Sequence, residues 1–531
     1  MVPDMGRFLC RRNRVGYNAR RMPTAGKRRS SPLADTILIM VSLLLSFAFA
    51  EAVVRILNGQ PVFAFPLPDP VGTASVKPGQ LEAIPLAPGV DRAWFEKDPP
   101  PLPNRGTAPA EWQKIFEEMQ RHPTNNEFQP FDAFKAWNNA FAGADPCQHR
   151  FLKLAPGQLY LYDPPDGQPI PPYRFPPNST FPDRLVTNQM GWRGPPIEVP
   201  RGPKTIRIVF VGSSTVIEGH FVPYSYPEFV GNWLNLWAQA KKLDVRFEVL
   251  NSARESNVST DLAAIVKTEV LPLRPDLVVY YEGGNQFRPD SIVEKVPEGK
   301  AVRPPGSNPS VAPEWLRAAS RWSALLGRVQ AAIGLAASDM DGKEWPKPDY
   351  KVVWPPGLDE QNPDLAYPNL PVSLNVIQRD LDAIRADLAT IGSDFALSSF
   401  AWMVKDGLVL DPVRHRYIME QLNVSNYPFR YRELERLAKF ENRLFAKYAA
   451  THGLTFVDIA GQLPFDPDLF LDAVHTSYAG TRMRGWITLN ALVPLIEKHL
   501  ADKSWPRPMP NPAPPLPTIT PRKMMLACKA Q

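Results

Sequence analysis

The chain has 531 residues, 44% of them hydrophobic and 21% charged, the composition of a folded protein with room for one large core and accessory segments. Its 61 prolines are about twice the usual share, so long irregular stretches are expected. The formal charge of +6 is unevenly spread: nine basic residues against the single acid Asp4 give residues 1–34 a net +8, leaving −2 for the rest. A near-neutral body behind a basic leader argues against a nucleic-acid-binding domain, which needs its positive charge on the folded surface.

An apolar run follows the leader. Thr36 to Ala50 contains no charge, and Leu33, Ala34, Val53, Val54, Ile56 and Leu57 extend the segment to a membrane-spanning length over residues 35–57. Positive residues ahead of such a run stay cytoplasmic, so the body is expected outside the cytoplasm, in the periplasm if the cell has one. Ala48-Phe49-Ala50 also fits a signal-peptidase site, but the leader is long for a signal peptide and apolar character continues past the cut. A retained single-pass anchor is the favoured expectation.

Residues 58–185 are proline-rich and read as an extended stalk with a small accessory region. That region holds a short helix around Trp112 to Gln120 and the aromatic residues Phe131, Phe134 and Trp137. Cys10, Cys147 and Cys528 lie far apart; Cys147 and Cys528 can pair in an oxidising compartment or remain thiols, and spacing does not decide. No metal-ligand framework of the Cys-x-x-Cys or His-Glu-x-x-His kind is present, and no cofactor is expected.

From Thr205 the pattern becomes short β-branched runs separated by helical periodicity, the signature of strand-helix-strand units. Strands are expected over Ile206 to Val211, Phe247 to Leu250, Leu277 to Tyr281, Phe395 to Ser399 and Thr455 to Ile459, forming a flavodoxin-like, doubly wound, five-stranded parallel α/β sheet. Leu437, Phe440, Leu444 and Tyr448 mark the buried face of a helix. An insertion over about 286–390 is too long for an ordinary connection and is expected to hold more than one helix, one of them amphipathic through Trp322, Leu325, Leu326, Val329 and Ile333. The body ends near 502, and residues 503–531, rich in proline, are expected to be disordered.

Polar clusters follow four of these strands: Gly212-Ser213-Ser214, Asn251-Ser252-Ala253, Gly283-Gly284-Asn285 and Asp472-Ala473-Val474-His475. Ligands of open parallel sheets bind beyond such strand ends. A serine becomes nucleophilic when an imidazole takes its proton, and that imidazole needs an acceptor on its other nitrogen, so Ser214, His475 and Asp472 form a candidate triad. Val216 stands where an α/β-hydrolase elbow needs glycine, and His220 stands where a phosphate loop needs lysine. The other histidines are read as structural, with His220 the one to watch because it is close in sequence to Ser214.

These blocks resemble those of the SGNH hydrolases, the GDSL esterase and lipase family, over roughly residues 186–500. Asn188-Gln189-Met190-Gly191-Trp192-Arg193-Gly194 is similar to a lead-in of membrane-anchored bacterial members. Ser213 replaces the motif's frequent Asp, and Ala253 replaces its second-block glycine. The resemblance implies an oxyanion hole made by the N–H groups of Ser214 and Ala253 and the side-chain amide of Asn285. It implies an esterase acting on short O-acyl esters or an acylated glycan. The open alternatives are an O-acyltransferase, supplied by an acyl-donor membrane partner and modifying an envelope polysaccharide, and a non-catalytic glycan-binding module.

Overall fold

The computed structural model describes residues 32–57, 76–108, 185–218, 223–302, 312–335, 342–412, 414–517 and 520–525, with shorter stretches between 62 and 182. The basic leader through residue 31, most of the accessory region including Phe131, Phe134 and Trp137, all three cysteines, and His122, His149 and His220 lie outside the described residues.

The helices of seven residues or more, in chain order, are α1 (Pro32–Leu57), α2 (Tyr226–Ala240), α3 (Ser259–Ile265), α4 (Glu314–Trp322), α5 (Ala324–Ala332), α6 (Leu374–Ala389), α7 (Tyr431–His452) and α8 (Tyr478–Ala501). The central strands are β1 (Thr205–Gly212), β2 (Arg246–Asn251), β3 (Leu277–Tyr281), β4 (Asp394–Ser398) and β5 (Thr455–Val457). They form one parallel sheet in the order β2-β1-β3-β4-β5. This is the flavodoxin-like doubly wound order, and the expected strands match it to within a residue or two at each end. A separate antiparallel pair joins Gln158–Asp163 to Thr520–Met525.

Helices cover both faces of the sheet, so every residue of β1 and β3 is buried; β3 is a continuous apolar run, and β1 is one from Ile208 onward, after Arg207, which is buried in a pair with Glu248. One face carries α2 and α8, locked by Trp233 against Trp486 at 5.1 Å between ring centroids. The other carries α3, α6 and α7. On α7 the stripe Leu437, Phe440, Leu444 and Tyr448 is fully buried, as its spacing requires.

Three regions depart from expectation. Part of the expected stalk packs onto the body: Phe95 lies against both Trp233 and Trp486, and Ile84, Val90 and Trp94 are buried beside it. Proline keeps this segment irregular, but its apolar side chains still fill the space over α2 and α8. The expected helix through Trp322 and Ile333 is two helices broken at Ser323, which caps the second by accepting from Leu326 N–H. The tail from Trp505 is anchored at its start: Trp505 is buried and stacks on His499 at 4.4 Å. Arg507 then bonds to Asp276 and Asp394, at the amino ends of β3 and β4. Composition alone hides these few anchoring side chains among prolines.

Candidate active site

β1 runs into Gly212, and Ser214 opens a single helical turn, Ser214–Ile217. The turn is closed by N–H groups of Val216 and Ile217 donating to the Ser213 carbonyl and by Glu218 N–H donating to the Ser214 carbonyl. A Cβ on residue 212 would stand 2.2 Å from Val216 Cγ2 and 2.5 Å from the Tyr281 carbonyl oxygen. Only glycine lets the strand turn this close to β3, and the turn places Ser214 at the carboxyl end of the sheet.

At the far end of the chain, the loop between β5 and α8 brings His475 back over that serine. Ser214 Oγ lies 2.8 Å from His475 Nε2, and His475 Nδ1 lies 2.8 Å from Asp472 Oδ2. A carboxylate only accepts, so Nδ1 carries the proton and Nε2 is left to accept from the serine hydroxyl. Asp472 Oδ1 accepts from the N–H groups of Val474 and His475 at 2.9 and 2.8 Å, which fixes the three-residue spacing. Burial opposes the Asp472 charge, but the adjoining imidazole and those two N–H groups more than offset it and hold the carboxyl below its ordinary range. The loop is held from outside by Ala473 N–H donating to Gln421 Oε1 and by Met403 N–H donating to the Ala473 carbonyl.

The structure thus brings together Ser214, His475 and Asp472 and sets Asn285 beside them. The Asn285 amide nitrogen donates to Ser213 Oγ and to the Asn257 carbonyl, each at 2.8 Å, so both its hydrogens are engaged one residue away from Ser214. Ala253 is buried, and its N–H donates to Asn251 Oδ1 at 3.2 Å. Among the described residues no hydrogen bond joins Ala253 to Ser214, Asn285 or His475. Ser213, at the motif's usual Asp position, is the acceptor that orients Asn285.

Several supporting residues escape sequence reasoning. Arg193, inside the lead-in, donates from Nη1 to the carbonyls of Ile217 and Glu218 at 3.1 and 2.7 Å and from Nε to Glu228 Oε2 at 2.8 Å. It satisfies the carbonyl end of the very turn that Ser214 opens. Glu218 has a left-handed backbone with φ 43°, and its buried carboxylate accepts from Tyr226 N–H, Thr476, Thr481 and the buried Arg484. Arg484 in turn lies over the rings of Tyr226 and Tyr281. This network ties the turn after Ser214 to Thr476, the residue following His475.

The rest of the lead-in is equally constrained. Asn188 Oδ1 accepts from Met190 and Trp192 N–H, and Gly191, at φ 71°, approaches so close that a Cβ would meet the Phe175 carbonyl at 2.1 Å. Trp192 donates its indole N–H to Glu269, which also binds Arg174 and Arg254. Burial opposes the Glu269 charge, and the two arginines outweigh it, keeping the carboxyl below its ordinary range. The signal that could have found Arg193 is the single charge between Trp192 and Gly194 in that lead-in.

Two further buried carboxyls lie behind Asn285. Glu282 Oε1 accepts from Asn285 N–H at 2.8 Å, and burial pushes the Glu282 pKa up to about 7. Glu441 is raised well above its ordinary value, first by burial and then by the nearby Glu282. The remaining described histidines have structural partners: His415 binds Asp468, His452 packs on Tyr448 and His499 stacks on Trp505.

No family model matches the chain, and no curated protein matches its sequence. Among solved structures it is similar to LAE5, an alpha/beta hydrolase enzyme from the metagenome of Lake Arreo, Spain, at 16% identity over 54% of this chain and 94% of that one, with a TM-score of 0.28. It is similar to TesA at 13% identity over 54% of this chain and 99% of that one, with a TM-score of 0.28. A third similar structure is an acetylxylan esterase from Geobacillus stearothermophilus, at 14% identity over 54% of this chain and 94% of that one, with a TM-score of 0.29.

Proposed function

We propose that the chain is a membrane-anchored serine esterase of the SGNH type, acting outside the cytoplasm on short O-acyl esters such as acetyl groups. The observation that carries this reading is the continuous hydrogen-bond path from Ser214 through His475 to Asp472 at the carboxyl end of the sheet. Ser214 lies at the topological switch point, where β1 is flanked by β2 and β3.

In this reading Ser214 Oγ attacks the ester carbonyl while its proton passes to His475 Nε2. Asp472 stabilises the imidazolium that forms. The tetrahedral adduct collapses as His475 gives the proton to the departing alkoxide, leaving the acyl group on Ser214. Water then attacks the acyl carbon, its proton goes to His475, and Ser214 Oγ leaves with that proton as the acid is released.

The developing oxyanion is held by the N–H groups of Ser214 and Ala253 and by the Asn285 amide, each such donor being worth about 2.7–4 kcal/mol. Asn285 and Ala253 reach it by sharing or exchanging their bonds to Ser213, Asn257 and Asn251. Residues 35–57 supply the anchor in this reading: the helix Asp35–Leu57 is long and apolar enough to cross a membrane, and the basic leader ahead of it supports a body on the far side.

The test uses the full chain in detergent, assayed on nitrophenyl esters of increasing acyl length and with a fluorophosphonate probe. Ser214→Ala is expected to abolish both turnover and labelling; unchanged labelling would remove Ser214 as nucleophile. Supplying an acylated glycan and an acceptor sugar, and following the acyl group into water or onto sugar, separates the esterase from the transferase.

A further inference from the structure

The insertion between β3 and β4 makes an unusual contact. Its helices α4 and α5 meet at Ser323, and the residue that completes this junction comes from α1, more than 270 positions earlier. Glu51 accepts from Ser323 Oγ at 2.7 Å and from the N–H groups of Ala324 and Leu325 at 2.9 Å each. Its carboxylate therefore caps the first turn of α5. Arg55, one turn further along α1, donates to Glu51 at 2.6 Å and to the Trp322 carbonyl at 3.0 Å. Both charges are buried by the contact.

The height of this joint follows from helix geometry. From Leu33 to Ala50 a helix rises about 27 Å, close to the roughly 30 Å of a bilayer's hydrocarbon. Glu51 and Arg55 thus stand where α1 leaves the lipid, and the α4–α5 hairpin is bolted on at that level. Its outward side chains suit the place. Trp315 and Trp322 share one face of α4, seven residues apart, and are 72% and 41% exposed. Val329 and Ile333 are four residues apart at the end of α5 and are also exposed, Ile333 at 60%.

We infer that the α4–α5 hairpin lies on the lipid surface beside α1, with Trp315, Trp322, Val329 and Ile333 in the boundary between headgroups and acyl chains. Tryptophan favours that boundary, and the exposed Val329 and Ile333 add apolar surface at the same place. The Glu51–Arg55 joint makes anchor and hairpin one rigid membrane seat for the body. This inference rests on the anchor reading above, because α1 sets the height.

The experiment takes the full chain with Cys10, Cys147 and Cys528 replaced by serine and adds one cysteine at a time: Leu45→Cys in α1, Trp315→Cys and Ile333→Cys in the hairpin, and Val409→Cys on an exposed loop elsewhere. Circular dichroism and thermal unfolding establish that each variant is folded. Each is labelled with nitrobenzoxadiazole and reconstituted into vesicles of phosphatidylethanolamine and phosphatidylglycerol, with nitroxide-bearing acyl chains or with aqueous iodide as quencher. The labels at 45, 315 and 333 are expected to lose about half their emission to the lipid nitroxide, and the label at 409 to respond only to iodide. Quenching at 45 with iodide-accessible labels at 315 and 333 overturns the hairpin while the anchor stands. No lipid quenching at 45 overturns the anchor and the seat built on it. Labels at 315 and 333 shielded from both quenchers, with crosslinks between copies, overturn the lipid contact in favour of a second chain.

Discussion

Arg193 Nη1 donates to the Glu218 carbonyl at 2.7 Å, so a residue ahead of the sheet closes the helical turn that Ser214 opens. The same guanidinium holds the buried Glu228. Arg193→Met is expected to destabilise the body by about 3 kcal/mol, because it leaves a buried carboxylate without its cation. Urea unfolding measures the loss. Arg193→Lys recovers only part of it, since an ammonium cannot fork to two carbonyls and a carboxylate at once.

Asp472→Asn keeps the shape of the loop but lets the amide donate to His475 Nδ1, which favours the tautomer whose Nε2 cannot accept from Ser214. Turnover is expected to fall about 10⁴-fold with little change in KM. Steady-state kinetics on a nitrophenyl ester, set beside an unchanged melting temperature, checks this.

Glu282 gives the fold a pH dependence of unusual sign. Its carboxyl titrates near 4.5 when unfolded and at about 7 when folded, so between those values the native state holds more protons than the unfolded one. Stability from this group therefore falls as pH rises from 4.5 through 7, by about 3 kcal/mol in all. Glu282→Gln is expected to flatten that part of the profile in denaturant titrations between pH 4.5 and 8. A wild-type profile that rises steadily across the window would contradict the assignment.

Gly212→Ala forces a methyl group against Val216 and the Tyr281 carbonyl. Relief requires the turn bearing Ser214 to move away from β3, at a cost of about 2 kcal/mol. Fluorophosphonate labelling should slow more than global stability suggests, because the displaced atom is the proposed nucleophile.

The strands were legible because parallel strands buried on both faces must be continuous apolar runs, and β3 falls where expected to the residue. The candidate residues could be picked out because each follows a strand: Ser214 after β1, Asn285 after β3, and Asp472 and His475 after β5. What sequence did not disclose is held by charges remote in the chain. Glu218 meets Arg484 across more than 260 positions, and Glu51 meets Ser323 across 272. Neither pair has a spacing that periodicity can register. Ser323 did carry a local signal, a capping serine in the middle of a helical pattern, yet the apolar stripe on both sides of it reads as one helix. The engaged donors of Asn285 and Ala253 were invisible for a different reason: motif position specifies which group is near, and the competing acceptors Ser213, Asn257 and Asn251 decide where it points.

Asp276 sits fully buried at the start of β3, where one carboxylate oxygen meets Arg201 and the other accepts from the backbone N–H of Arg507. Arg507 is among the last residues of the body to be synthesised. A growing polypeptide halted before it would carry all five strands and every residue of the proposed site, yet its central strand would begin on a half-solvated acid. The proline-rich end is thereby a structural part of the sheet's amino edge, and trimming it ahead of Arg507 would cost that edge a backbone donor and a cation.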